Sequence, residues 1–337
     1  MSSPRPTIAD VARRAAVSIA TVSRVLNGTA PVDAETAGRV RAAIAELNYI
    51  PHAAARTLAS RRTYTIGLLL PEISGDFFQP MLRGVEAGAS EAGFDLLIHA
   101  TRTPRPETAP RRPLGEHNTD GLLIFTDSVD LHELTRLNRI GFPVVLLHQT
   151  SPKTLNIPVI TVENQSGAKK IVDHLIENHH CRRIVFLQGQ EGHEDSKWRE
   201  KGYREALQAH GLTFDASLVA GGGFNRDEAR QTVEQILLDG LEFDAIFAGD
   251  DDSAVGVYQA LRQAGRKIPE EIAVTGFDDQ VFASTLTPAL TTVRVPIERV
   301  GREAVHQLTR VIRGESVEAR IVLPTELVIR QSCGCRV

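Results

Sequence analysis

Short apolar runs alternate with amphipathic segments from Tyr64 onward in this 337-residue chain. The apolar runs are IGLLLP, DLLIHA, GLLIF, PVVLLH, VITVEN, RIVFLQG, SLVAGG, DAIFAGD, IAVTGFDD and TTVRVP. Uninterrupted apolar strands that alternate with helices are typical of parallel sheets covered by helices on both faces. Because ten strands are many for one sheet, we expect an α/β body of two lobes with a cleft between them.

Polar residues follow several of these runs directly, at the predicted carboxyl ends of the strands. They are Asp76-Phe77-Phe78, His148, Asp250-Asp251-Asp252 and Asp278-Asp279. Ligands of open α/β sheets bind beyond the carboxyl ends of the strands. We therefore expect these residues to face a ligand in the cleft.

One segment interrupts the alternation of strands and helices. Residues 101–120 read TRTPRPETAPRRPLGEHNTD and contain four prolines where a helix would cross back over the sheet. A proline in a helix interior costs about 3 kcal/mol. We expect a loop or a distorted short helix there.

The first fifty residues have a different pattern, that of three short helices. Thr7 and Asp10 have the spacing of a capping box, while Ser18 and Asp33 are N-cap residue types. Asn27-Gly28 is a typical helix end. The predicted helices span residues 8–15, 19–26 and 34–47.

The first two helices and the tight turn at Ala16-Val17 form a helix-turn-helix pattern. The second helix of such a motif lies in the major groove of DNA, so its small side chains let the backbone approach closely. Hydroxyl groups can donate to phosphates or base edges, Arg24 suits a guanine edge, and apolar Ile19 and Ala20 suit thymine methyl groups. The residues predicted to contact DNA from this helix are Ser18, Ile19, Ala20, Thr21, Ser23 and Arg24.

The charge of the chain is divided between a basic head and an acidic body. Residues 1–62 contain nine arginines and four acidic residues, whereas the remainder contains 29 basic and 38 acidic residues. A basic head favours contact with phosphates, and an acidic body disfavours binding of nucleic acid elsewhere on the surface.

Other features exclude several classes of protein. No apolar run approaches the roughly 18 residues that span a membrane. The segment MSSPRPTIADVARRAAV lacks the apolar core of a secretory signal, so we expect a cytoplasmic protein. No phosphate-binding glycine motif and no nucleophile elbow is present, so we expect neither an enzyme nor a bound cofactor.

The cysteines suggest no metal site. Cys181, Cys333 and Cys335 are too few for a disulfide framework, and two thiols in CGC are too few ligands for structural zinc. We therefore expect CGC to be a plain C-terminal tail. The pair His179-His180 is expected to be a solvated helix end.

The head segments TIADVARRAAVSIATVSRVLNG and NYIPHAAARTLA closely resemble the lactose repressor/galactose repressor (LacI/GalR) family of bacterial transcription regulators. The body segments DAIFAGDDDSAVGVYQAL, IPEEIAVTGFDD and TPALTTVRVPIERVGREA resemble the same family. The resemblance implies an all-α helix-turn-helix head on a two-lobed body like periplasmic sugar-binding proteins, with three crossovers between the lobes. It also implies a homodimer that binds pseudo-palindromic double-stranded operator DNA, represses transcription and responds to a small-molecule effector.

This resemblance divides the chain into a DNA-binding domain (1–50), a hinge helix or linker (51–62) and an effector-binding and dimerisation domain (63–337). The implied N-lobe comprises about 63–162 and 292–322, and the C-lobe about 163–291 and 323–337.

Further site residues follow from the family. Leu58 would be a wedge in the minor groove with Ala55 beside it, and Thr7, Asn27 and Tyr49 would complete the DNA-binding set. The implied effector-binding residues are Phe78, His148, Arg199, Phe224, Asp250 and Asp278. Aromatic faces with carboxylate and arginine groups favour a saccharide or a sugar derivative, and a purine or nucleoside is the alternative. Another alternative, a solute-binding protein without DNA function, would lack the basic first 62 residues.

Overall fold

The computed structural model describes residues 6–27, 30–49, 62–101 and 114–336. The chain forms two compact units, Met1–Thr63 and Tyr64–Val337, called here the head and the body. The predicted hinge at 51–62 falls almost entirely outside the described residues, and so do the four prolines of the interrupted segment. Among the described residues, no helix is both long and apolar enough to cross a membrane.

The head contains α1 (Ile8–Ala15), α2 (Ile19–Asn27) and α3 (Ala34–Glu46). The predicted caps of all three helices are confirmed. Thr7 and Asp10 form a reciprocal capping box, the Thr21 amide donates to Ser18 Oγ at 3.1 Å, and the Thr36 amide donates to Asp33 Oδ1 at 2.8 Å.

A small apolar core joins the three helices of the head. Val11, Val22 and Val40 are fully buried, one from each helix. The turn between α1 and α2 is made by Ala16 in the left-handed conformation, with φ of 54°. Local strain at this alanine is outweighed by the packing that fixes α2 on α1.

The first lobe of the body is built on a six-stranded parallel sheet. Its strand order is β11-β5-β4-β3-β1-β2. The strands are β1 (Thr65–Leu70), β2 (Asp95–Ala100), β3 (Gly121–Phe125), β4 (Val144–Leu147), β5 (Val159–Val162) and β11 (Arg320–Leu323). Its helices are α4 (Phe78–Ala92), α5 (Leu131–Arg139) and α10 (Ile297–Ile312). β1, β3 and β4 are almost wholly buried, as expected for a sheet covered on both faces.

The second lobe contains a four-stranded parallel sheet of order β7-β6-β8-β9. The strands are β6 (Ile184–Gln188), β7 (Val219–Gly221), β8 (Ala245–Ala248) and β9 (Ala273–Thr275). The helices are α6 (Asn164–His179), α7 (Glu194–Ala209), α8 (Arg226–Leu238) and α9 (Asp251–Gln263). The chain passes between the two sheets three times: after β5, between β9 and α10, and after β11.

The strand prediction is incomplete at the crossovers. β11 and a further strand, β12 (Glu326–Val328), lie in a segment that we had not assigned to the sheets. β10 (Thr292–Arg294) pairs antiparallel with β12 in a separate two-stranded sheet. β11 and β12 are short and partly exposed, so they lack the long apolar runs that mark the central strands.

The expectation of a plain C-terminal tail is wrong. Cys333 is 2% exposed, and His174 Nε2 of α6 lies 3.4 Å from its Sγ. His179 is not a solvated helix end either, because its Nε2 lies 3.4 Å from Cys335 Sγ. Only His180 of the two adjacent histidines is exposed.

Candidate functional site

The predicted DNA-binding residues of α2 up to Arg24 and the preceding Ser18 are exposed or half-buried in the head. Ser18, Ala20 and Arg24 are exposed, and the large apolar side chain of Ile19 is 51% exposed. Thr21 and Ser23 are half-buried, while Thr7 is exposed at the start of α1. An exposed isoleucine beside hydroxyl groups and an arginine suits a groove that offers both methyl groups and polar base edges.

Other residues of the predicted DNA-binding set have a different placement. Tyr49 is only 9% exposed and packs in the core of the head, so its ring has a packing role. Asn27 is the last residue of α2, and its side chain lies outside the described part of the structure. Ala55 and Leu58 also lie outside the described residues.

The body contains a cavity of about 310 Å³ at the carboxyl ends of strands from both lobes. Five of the six predicted effector-binding residues line it: Phe78, Arg199, Phe224, Asp250 and Asp278. Ser74–Phe78 and Phe125–Asp127 of the first lobe face it. The parallel topology explains this convergence, because the carboxyl ends of neighbouring strands share one edge of each sheet.

Phe224 lies over two glycines at the ends of β6 and β8. A Cβ atom at Gly189 would lie 2.2 Å from the Phe224 ring, and one at Gly249 would lie 3.1 Å from it. A side chain at Gly189 or Gly249 would therefore occupy the space that the Phe224 ring fills. Phe224 also has a positive φ of 52°, which directs its side chain back over the sheet edge.

Arg199 lines the cavity and is held by three hydrogen bonds. Its Nε donates to Asn164 Oδ1 at 2.9 Å, its Nη1 to the Gly249 carbonyl at 2.5 Å, and its Nη2 to Asp278 Oδ1 at 3.3 Å. The guanidinium carbon lies 3.9 Å from the centroid of the Phe277 ring. Arg199 is 3% exposed, so its position is fixed before any ligand arrives.

Burial raises the pKa of two of the cavity carboxyl groups. Burial raises the pKa of Asp278 to about 8; the Arg199 guanidinium opposes this rise, and the nearby carboxylates of Asp250 and Asp195 add to it. Burial also raises the pKa of Asp250, although Oδ1 of that residue caps α9 by accepting from the Ser253 amide at 3.0 Å. Asp278 has an unusual φ of 110° that projects its carboxyl group into the cavity.

His148 is placed differently from the other five predicted residues. It is fully buried behind the cavity, and its Nδ1 lies 2.8 Å from Asp195 Oδ2. Asp195 itself faces the cavity and also accepts from Asn164 Nδ2 at 2.7 Å. Although burial opposes ionisation, His148 and Arg199 lower the pKa of Asp195 below its usual value. His148 therefore orients a cavity carboxylate instead of facing the ligand.

The head and the body each match a known protein family. Residues 7–52 match the bacterial regulatory proteins of the lacI family, and residues 172–333 match the periplasmic binding protein-like domain. The HTH-type transcriptional regulator CelR of Thermobifida fusca is 34% identical over 339 residues, which cover 97% of this chain and 98% of that protein. This chain belongs to the LacI family.

Two solved structures relate the LacI-family fold to this chain. The transcriptional regulator CelR–cellobiose complex is 32% identical, with a TM-score of 0.71, and covers 97% of this chain and 100% of that one. The lac repressor dimer bound to operator and the anti-inducer ONPF is 25% identical, with a TM-score of 0.84, and covers 98% and 99%. The predicted fold class and the prediction of a DNA-binding transcription regulator, not an enzyme, are confirmed.

This LacI-family cavity contains residues that we did not predict. His193 and Asp195 line it from the loop and helix that follow β6, and Asp127 lines it after β3. The rule that ligands bind at strand ends would have selected them, because each follows an apolar run closely. The His193 ring meets Phe224 edge-on at 5.1 Å, and its buried Nδ1 has no hydrogen-bond partner within the described part of the chain.

Proposed function

We propose that this LacI-family regulator is a cytoplasmic homodimeric repressor whose affinity for a pseudo-palindromic operator is set by a neutral saccharide in the cavity. The observation that carries the effector assignment is the lining of the cavity. Among the described residues, two arginines and seven carboxyl side chains face it, and the carboxyl residues are Glu72, Asp76, Asp127, Asp195, Asp250, Asp252 and Asp278.

An acidic lining selects the class of effector. Carboxyl oxygens accept hydrogen bonds from the many hydroxyl groups of a saccharide, and those carboxyl groups that are ionised repel phosphates and carboxylates. Phe78 and Phe224 supply apolar ring faces or edges that suit the C–H groups of a sugar ring. Burial lowers the pKa of His193, so a neutral imidazole offers one further donor or acceptor.

A purine or nucleoside fits the same lining less well. A purine has few hydrogen-bond donors for seven carboxyl groups, and it requires a parallel aromatic face. Phe77, Phe78 and Phe125 instead meet one another edge-on, at centroid distances of 5.2 to 6.1 Å. Cellobiose is the ligand in the structure of CelR, which is similar to this chain over its whole length.

The position of the cavity suggests how an effector would control DNA binding. Phe78 and Asp127 belong to the first lobe, whereas Arg199 and Phe224 belong to the second. A ligand that contacts both lobes stabilises one relative orientation of them. By linkage, the effector and the operator change each other's affinity by the same factor, commonly 5- to 150-fold.

For the DNA-binding surface, we propose that Ser18, Ile19, Ala20, Thr21, Ser23 and Arg24 read the major groove. Thr7, which is exposed at the N-terminus of α1, would contact a phosphate. Ala55 and Leu58 stay assigned to the minor groove by family resemblance alone.

A thermal-shift screen of the full chain tests the effector assignment. The panel contains cellobiose, other neutral mono- and disaccharides, phosphorylated sugars and purine nucleosides. We expect a neutral saccharide to raise the melting temperature, since a ligand that binds only the folded state stabilises it by mass action. A shift given only by nucleosides or only by phosphorylated sugars would contradict the assignment. The saccharide that binds is then added to a DNA-binding assay of the same chain.

A further inference from the structure

Four metal-ligating side chains converge at the end of the second lobe, away from the strand ends that line the cavity. His174 and His179 belong to α6, and Cys333 and Cys335 belong to the C-terminal segment. One potential ligand atom from each residue lies within 4.8 Å of the other three. His174 and Cys333 are buried, and His179 and Cys335 are half-buried.

The separations of these atoms fit a tetrahedron around one zinc ion. Zn–N bonds of about 2.0–2.1 Å and Zn–S bonds of about 2.3 Å put tetrahedral N–N corners about 3.3–3.4 Å apart and N–S corners about 3.5–3.6 Å apart. The two Nε2 atoms of His174 and His179 lie 3.3 Å apart. Three of the four N–S separations are also close to these values: 3.4 Å from His174 to Cys333, 3.6 Å from His174 to Cys335 and 3.4 Å from His179 to Cys335.

The chain around Cys333 and Cys335 is shaped to bring both thiols to one point. A single residue, Gly334, separates them, and its φ of 108° turns the chain back on itself. A Cβ atom at this position would lie 3.0 Å from His179 Nδ1, so the imidazole packs directly on the glycine. The hydroxyl of Thr291 lies 3.1 Å from Cys333 Sγ, where it can donate a hydrogen bond to a thiolate.

We propose that His174, His179, Cys333 and Cys335 bind one structural Zn²⁺ ion that fastens the C-terminal segment to α6. A tetrahedral set of two thiolates and two imidazoles is a ligand set typical of zinc, and all four positions are filled by protein. The site is therefore closed, and it leaves no position for a substrate or for water.

The zinc ion would hold more than the last few residues. Arg330 precedes the cysteines and donates to Asp279 Oδ1 at 2.6 Å, next to the cavity residue Asp278. Ser332 Oγ donates to the carbonyl of Val274, the middle residue of β9. Fastening this segment therefore supports the crossover between the lobes, and loss of zinc is expected to lower the stability of the body.

Metal analysis of the full-length protein tests this proposal. The chain is produced in zinc-supplemented medium, kept reduced and measured by inductively coupled plasma mass spectrometry. We expect one zinc ion per chain in the wild type and loss of that zinc in the double variant Cys333→Ser/Cys335→Ser and in His179→Gln. The matched controls are His180→Gln, an exposed neighbour, and Cys181→Ala, a buried thiol outside the cluster. Both controls are expected to keep the zinc.

A second measurement on the wild type does not depend on the folding of the variants. Zinc is removed with a chelator, and Co²⁺ is added to the reduced full chain. We expect thiolate-to-cobalt charge-transfer bands, the intense visible bands of tetrahedral cobalt, and recovery of the melting temperature on adding metal. A chain that carries no zinc and gives no cobalt spectrum would overturn the proposal. Iron or copper in place of zinc, or full zinc content in the double cysteine variant, would overturn it as well.

Discussion

Replacing Gly189 by alanine tests how the Phe224 ring, which lines the cavity, is held in place. The added Cβ would lie 2.2, 2.3 and 2.6 Å from three atoms of the Phe224 ring. Carbon atoms in favourable contact lie about 3.5–4.0 Å apart, so the ring must move by at least about 1.3 Å. Gly249 supports the ring from the sheet, and the open direction is the cavity itself.

The expected cost follows from overpacking. Such substitutions destabilise by about 1–3 kcal/mol, and Gly→Ala regains about 0.4–1 kcal/mol by restricting the unfolded chain. We expect a net loss of roughly 1–2 kcal/mol in the free energy of unfolding of the body. Because the ring enters the cavity, the affinity for the saccharide should also fall by about tenfold or more, or about 1.4 kcal/mol.

Gly221→Ala is the matched control. Gly221 is the last residue of β7 in the same sheet, and a Cβ atom there would meet no atom within 4 Å. Urea unfolding and isothermal titration calorimetry with the saccharide found in the screen measure the two effects. Equal saccharide affinity and equal stability in the Gly189→Ala and Gly221→Ala variants would show that the glycines do not hold the Phe224 ring.

Three further substitutions test the cavity and the head. Asp195→Ala leaves His148 buried without its 2.8 Å partner and should lower the free energy of unfolding, measured in urea, by about 3–5 kcal/mol. The control Glu234→Ala breaks the partly exposed ion pair with Arg230 in α8 and should cost less than about 0.5 kcal/mol. Asp278→Asn should flatten the pH dependence of the free energy of unfolding. The Asp278 carboxyl has a pKa of about 8 in the folded protein and near 3.9 in the unfolded chain, so between these pH values the native wild type binds one more proton and loses stability as the pH rises. An unchanged slope in the variant would refute the assignment. Arg24→Ala should reduce the ratio of operator affinity to random-DNA affinity by about tenfold or more in fluorescence anisotropy, because a base contact supplies about 1–3 kcal/mol of discrimination. An equal loss of affinity for both DNAs would show that Arg24 contacts a phosphate.

Local features of the sequence predicted local structure well. The caps at Thr7, Ser18 and Asp33 depend on atoms within three residues, so the residue types alone locate the helix starts. The central strands carry enough apolar residues to be recognised without knowledge of their neighbours. β11 and β12 do not, because their place in the fold is fixed by distant pairing partners.

The cavity and the proposed zinc site were harder to predict, because their residues come together from distant parts of the sequence. His148 directly follows a strand, the position at which ligands of α/β sheets bind. Its ring instead contacts Asp195, which is 47 residues away in the sequence, so His148 supports a cavity carboxylate and does not face the cavity. The CGC motif by itself offers two thiols, and the imidazoles that complete the proposed zinc site lie 156 to 161 residues earlier in the chain. Neither pairing has a signal in the nearby sequence.

Footprinting of DNA selected by the full chain from a random pool tests the central claim most directly. The full chain and residues 64–337 are compared on that duplex, each with and without the saccharide that binds the cavity. We predict that the full chain protects one two-fold symmetric site with an affinity that the saccharide changes, and that residues 64–337 protect none. An identical footprint from residues 64–337, or protection by the full chain that no cavity ligand alters, would contradict the account.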